Sequence, residues 1–262
     1  MKIKILNKAR DTIAVSNSGE KLVTLVYAAS YEENDVISIE FNKSHLFVEV
    51  QLDDALKPAV LYVKNKSLYF KVPFKEERLT ISPKAFSGSL HVITVRVLEE
   101  WEVLVRRNLA LNPYAGFLST TIYPVINANV ETRNEAVFAV RNAVDGIYAN
   151  HSHGKYPYGS WGINQQDDAE WKIDFGTEVQ VDELRLTLRA DYPHDAYWSE
   201  AVLAFSDNSE EKVKLIKSDE PQSFYFEARK ISTLTLKDLK KATSDSLFPA
   251  LTQFEIYGNY IL

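Results

Sequence analysis

Punctuation is what most limits how this chain can fold. Between residues 21 and 98 it runs as short stretches rich in Val, Ile, Leu, Tyr and Phe, over residues 21–29, 36–41, 45–52, 59–63, 67–72, 78–81 and 89–98. Clusters of Gly, Pro, Asn, Asp and Ser cut them apart, as in SNSGE, EEND, DDALKP and SPKAFSG. Stretches this short cannot make ordinary helices, and the turn formers between them fix reversals. Several alternate in polarity, such as residues 89–98, so one face is buried and one is not. Seven short strands at this spacing predict a β-sandwich. Lys64, Asn65 and Lys66, between two strands, read as a tight hairpin turn.

Residues 99–107 (EEWEVLVRR) read as a last strand or a short helix, and the boundary is placed there. Residues 1–107 carry 16 Lys and Arg against 14 Asp and Glu, whereas residues 108–262 carry 14 against 22. The second unit also holds ten of the 14 Tyr and three of the four Trp. Residues 133–145 show a short helical stripe of Ala136, Val137, Val140, Ala143 and Val144. Strand candidates follow at 171–175, 183–189, 201–205, 212–216, 223–227, 233–239 and 251–257, with Ser206 to Ser209 as a hairpin turn. The expected fold is therefore all-β, with two tandem β-sandwiches over residues 1–107 and 108–262.

Several function classes drop out on composition. With no cysteine there is no disulfide, no thiolate zinc site and no thiol nucleophile. An acidic second half without a basic stripe argues against nucleic acid and against anionic membrane surfaces. No apolar run approaches the roughly 20 residues of a spanning helix, so membrane insertion is not expected. The start, MKIKILNKARD, has no apolar h-region or cleavage site, so the sequence as it stands reads as cytoplasmic. His-Glu-x-x-His, Gly-x-Ser-x-Gly, P-loop and dinucleotide fingerprints are all missing.

Four segments of the second unit carry a family resemblance. They are Asn108-Leu109-Ala110; Asn142-Ala143-Val144-Asp145-Gly146; Ser160-Trp161 with Glu170-Trp171-Lys172-Ile173-Asp174-Phe175-Gly176; and Gln253-Phe254-Glu255-Ile256-Tyr257-Gly258. In this order, over some 150 residues, they resemble the discoidin or coagulation-factor-5/8 C-type family. That superfamily includes the galactose-binding-like carbohydrate-binding modules. The resemblance implies a jelly-roll-like second sandwich with Trp171 in its core. It implies a mono- or oligosaccharide as partner, bound by end loops, and a usually extracellular setting. It also implies a structural Ca²⁺ beside the Asp-Gly turn, with Asp145 and the Asn142 carbonyl as ligands. Gln253 stands where the family has an acidic ligand, and an amide oxygen brings no charge. The first unit resembles no family and is read as a spacer or a surface for a protein partner.

Strand parity puts the loops over residues 148–170, 190–198, 217–222 and 240–250 at one end of the sandwich, and the first two are chemically equipped. The first offers Asn150, His151, His153, Tyr156 and Tyr158. The second offers Arg189, Asp191, Tyr192, His194, Tyr197 and Trp198. Sugar recognition needs directional donors and acceptors for hydroxyls, and a ring face for the C–H side of the pyranose. Tyr192 or Trp198 is expected to stack, while Arg189, His194, Asp191 and Asn150 bond hydroxyls. Arg189 also has Asp191 and Asp195 in reach as simple ion-pair partners. The leading reading is a non-catalytic carbohydrate-binding protein. The alternatives are a structural or protein-interaction module and a metal-dependent hydrolase, in which His151, His153, Asp191 and His194 hold Zn²⁺.

Overall fold

The computed structural model describes residues 1–149, 154–191, 196–243 and 246–262. Its first part contains β1 (Lys2–Leu6), β2 (Thr12–Val15), β3 (Leu22–Tyr27), β4 (Val36–Glu40), β5 (Leu46–Gln51), β6 (Ala59–Val63), β7 (Ser67–Lys71) and β8 (His91–Val97). After a one-turn helix α1 (Glu100–Val103) come β9 (Arg107–Asn108) and β10 (Ile122–Tyr123). Two antiparallel sheets form the first sandwich, in the orders β2-β1-β4-β7 and β10-β6-β5-β8-β3. Ile3, Ile5, Ile37, Ile39 and Leu68 of one sheet face Val48, Val50, Leu61, Ile93 and Val95 of the other, all fully buried. Each such side chain contributes roughly 1.5–3 kcal/mol by leaving water.

Three local expectations are corrected in this part. β1 and β2 lie ahead of the first expected strand. Lys2 and Lys4 dilute β1, and its strand character shows only in the pairing of Ile3 with Ile39 and Ile5 with Ile37. Residues 78–81 are not a strand. Leu79 N–H donates to the Glu76 carbonyl and Ile81 N–H to that of Arg78, both at 3.1 Å, so the backbone closes tight turns there. Nor do Lys64 to Lys66 close a hairpin, because β6 pairs with β5 and β7 with β4, and the turn crosses between sheets.

The second part contains β11 (Val125–Ala128), β12 (Trp161–Gly162), β13 (Trp171–Leu188), β14 (Trp198–Phe205), β15 (Glu210–Lys214), β16 (Gln222–Lys241) and β17 (Ala250–Tyr260). All pairings are antiparallel, in the order β12-β17-β13-β16-β14-β15, with β11 on β13 and β9 on β17. Residues 171–175 and 183–189, expected as two strands, are one, and so are 223–227 and 233–239. Pairing of β13 with β16 breaks between Asp174 and Val179, where Gly176 takes a φ of +71°. A Cβ at Gly176 would run into the Tyr123 ring. The strand folds over here, and its two halves lie in opposite layers. The Trp171 ring stacks on Phe254 at 4.2 Å, and Phe254 pairs with Leu186, so both ends of β13 sit at one end of the sandwich.

The turn of residues 206–209 joins β14 to β15 as expected, with Ala204 opposite Glu210. The helix expected over 133–145 is instead three 3₁₀ turns at Thr132–Asn134, Ala136–Phe138 and Val140–Val144. Extended residues at Glu135 and Ala139 interrupt any helical ladder, although Val137, Ala143 and Val144 are buried as their spacing requires.

The two cores are stitched through residues 98–122. Leu98 and Val103 belong to the second core, whereas Tyr114 and Ile122 belong to the first. The Tyr114 hydroxyl donates to the Lys57 carbonyl at 2.9 Å, and Ile122 pairs with Val63.

Candidate functional site

Because β13 folds over, three connections meet at one end of the second sandwich. They precede β13, follow β13 and precede β17. A cleft of about 210 Å³ opens between them. Tyr158 and Arg189 form its floor, Phe138, Ile163 and Pro249 its apolar walls, and Asn164, Gln165, Arg133 and Phe248 its rim.

Local backbone bonds hold these groups. Arg189 N–H donates to the Ala250 carbonyl at 2.8 Å, which ties the end of β13 to the start of β17. Asn164 N–H donates to Thr132 Oγ1 at 2.9 Å, and Ser160 N–H to the Val137 carbonyl at 3.1 Å. Asn164 and Gln165 are left-handed, at φ +48° and +61°, a conformation Asn tolerates better than most residues. Their amides stand exposed at the rim.

The floor is electrostatically closed. Arg189 is 3% exposed. Its Nε lies 2.6 Å from Asp191 Oδ1, and its guanidinium lies 4.0 Å from the centroid of the Tyr158 ring. Phe138 meets that ring edge-on at 6.2 Å. Burial pushes the Tyr158 hydroxyl above its ordinary pKa. Phe248, by contrast, is 51% exposed and offers an aromatic face beside polar amides.

Of the expected site residues, the fold brings Tyr158, Arg189 and Asp191 together. Tyr156 lines a different cleft, at the junction of the sandwiches. Tyr197 is half-buried against the second core. Asn150, His151, His153, Tyr192 and His194 lie outside the described residues. The expectation for Trp198 is corrected: it is 1% exposed, 6.2 Å from the Trp161 ring, and presents no face to a ligand. Alternation back from Ala201, Leu203 and Phe205 would turn Trp198 outward. Register shifts at 198–202 turn it into the core. Phe248, Asn164 and Gln165 went unnamed in the sequence, although an adjacent Leu247-Phe248 pair in a Ser-Asp-Ser-containing loop is an apolar signal out of place.

The expected Ca²⁺ ligands converge, but not on a cation. Gln253 Nε2 lies 2.9 Å from the Asn142 carbonyl, 2.8 Å from Asp145 Oδ1, 3.1 Å from the Ile147 carbonyl and 2.6 Å from the Thr252 carbonyl. Its Oε1 accepts from Gly146 N–H at 2.9 Å, which fixes the amide orientation. The oxygens that would surround a hard cation surround an N–H donor instead. The residues as they stand do not fit Ca²⁺. Asp145, fully enclosed, has its carboxyl pushed up to about 7 by burial. For zinc, Asp191 is engaged with Arg189. No helix among the described residues is long and apolar enough to cross a membrane.

No protein-family model matches the sequence, and no curated protein matches it. Among solved structures, the chain is similar to chitosan-binding module 1 of a chitosanase/glucanase from Paenibacillus sp. IK-5. The identity is 20%, over 58% of this chain and 99% of that one, with a TM-score of 0.40. It is similar to the family 32 carbohydrate-binding module of C. perfringens NanJ in complex with galactose, at 12% identity over 58% and 99%, TM-score 0.42. It is also similar to the lectin domain of Lectinolysin complexed with Lewis B antigen, at 16% identity over 57% and 95%, TM-score 0.42.

Proposed function

We propose that the chain is a non-catalytic saccharide-binding protein and that the end cleft of its second sandwich is the site. One observation carries this reading: an exposed Phe248 ring faces a cleft that combines apolar walls, two exposed amides and a buried, neutralised Arg189–Asp191 pair. A pyranose has an apolar C–H face and a rim of hydroxyls. The Phe248 ring takes the first, and Asn164, Gln165 and the Arg189–Asp191 pair take the second. Because the floor is already charge-balanced, the cleft favours a neutral sugar. The four motif segments that resemble carbohydrate-binding modules support the same reading.

The test is binding to a panel of immobilised mono- and oligosaccharides. Wild type binds at least one neutral glycan, and Phe248→Ala weakens that binding by roughly tenfold or more while melting as wild type does. No binding anywhere on the panel, or unchanged binding by Phe248→Ala, overturns the assignment. That outcome favours a protein-interaction module, for which the outer face of β3 and β8 is equipped. Leu22, Val26 and Val92 are exposed there.

A further inference from the structure

A second cleft, of about 240 Å³, lies where the two sandwiches meet, and it contains an arginine that makes no ion pair among the described residues. Lys57 and Thr80 come from the first sandwich; Arg141, Tyr148 and Tyr156 come from the second. Arg141 is 7% exposed. Its Nη2 donates to Thr80 Oγ1 at 2.8 Å, and its guanidinium lies 4.5 Å from the centroid of the Phe117 ring. Neither partner carries a negative charge.

Three carboxylates act on Arg141 from a distance, Asp145, Glu131 and Glu77. Asp145 lines the same cleft, and all three are held by other donors. Asp145 Oδ1 accepts from Gln253 Nε2 and Ile147 N–H. Glu131 accepts from Val140 N–H, and Glu77 pairs with Lys71 at 2.6 Å. Among the described residues, none lies within ion-pair distance of Arg141. A guanidinium has five N–H donors, so most of its bonding capacity is unspent. Holding such a cation out of water costs several kcal/mol unless an anion meets it.

Lys57 adds a second positive charge at the mouth. It is exposed, and its Nζ donates to the Gly146 carbonyl at 2.9 Å, which leaves two of its three protons for another acceptor. Tyr148, 43% exposed, and Tyr156, 37% exposed, line the cleft, and Lys57 Nζ lies 6.0 Å from the centroid of the Tyr148 ring.

We propose that the junction cleft binds a small anionic ligand, a carboxylate or phosphate ester borne on a sugar-like ring, with Arg141 and Lys57 on the anion and Tyr148 and Tyr156 beside the ring. This cleft shares no lining residue with the end cleft, so the proposal stands apart from the reading given above. Occupancy would also bridge the two sandwiches, since the two cations belong to different ones.

The experiment is titration calorimetry on the full chain with glucuronate, glucose 6-phosphate, inorganic phosphate and glucose. At least one anionic sugar binds saturably, and more weakly when salt rises from ~50 to ~500 mM, as screening requires. Lys57→Gln weakens that binding by roughly tenfold or more, the worth of a charge-assisted hydrogen bond. Phe248→Ala leaves it unchanged. Inorganic phosphate binding as tightly as glucose 6-phosphate assigns recognition to the anionic head alone. The proposal is overturned if no anion binds saturably, or if binding survives Lys57→Gln and disappears with Phe248→Ala, which places the anion in the end cleft.

Discussion

Two clefts of similar size are each built over a buried arginine, and they differ in what meets it. Arg189 is 3% exposed and has a carboxylate, Asp191, at 2.6 Å. Arg141 is 7% exposed and has a hydroxyl and a phenyl ring. In both cases an aromatic face covers the guanidinium. The pair at the end cleft is neutral overall and matches uncharged hydroxyls, while the arginine without an ion pair at the junction calls for an anion. Burial alone did not separate them; the missing counter-charge did.

The sharpest way to break this comparison is to take the Asp191 carboxylate away from the first arginine. Asp191→Asn leaves Arg189 buried beside a neutral amide and should cost about 3–5 kcal/mol in urea unfolding. A cost under about 1 kcal/mol would show that solvent, not Asp191, balances Arg189. Next in size is the amide that ties the Asp-Gly turn. Gln253→Ala strands Gly146 N–H in a buried site and leaves Asp145 Oδ1 with Ile147 N–H alone, at about 2–3 kcal/mol. In wild type that amide stands where a cation would, so neither a chelator nor millimolar Ca²⁺ should move the melting temperature. A Ca²⁺-dependent rise would mean that Gln253 turns its oxygen inward. The smallest effect is expected at the junction. Arg141→Met removes a buried charge but also its bond to Thr80 and its stacking on Phe117, so the two offset and stability should lie within about 1 kcal/mol of wild type, on either side. Measured by the same urea unfolding, a loss as large as that of Asp191→Asn would erase the distinction between the clefts.

The residues that were legible in the sequence were those whose signal is local. Turn formers marked the strand ends, and the Asp-Gly and Trp-Lys-Ile-Asp-Phe-Gly segments marked the second sandwich. Arg189 and Asp191 are two positions apart, so their pairing could be read as one option in advance. Trp198 was misread because register shifts at the start of β14 reverse the facing that simple alternation gives. Residues 171–175 and 183–189 merged because the chain folds over at Gly176 within one strand, and β16 pairs along both halves of that strand. Strand parity places the 240–250 loop at this end, but which of its side chains lines the cleft, Phe248 among them, is set only by the tertiary structure.

By itself, then, the sequence determined the all-β class, the presence of two sandwiches and the burial of Trp171, because a two-residue alternation and its interruptions are written along a few positions of chain. The tertiary structure decided who meets whom across long separations. Gln253 reaches Asp145 over 108 residues, and Arg141 reaches Thr80 over 61. Such contacts depend on sheet register and on how one sandwich is docked to the other. Each is set by the sum of many packing contacts and by no single local pattern. The same dependence left one arginine with a counter-ion and the other without.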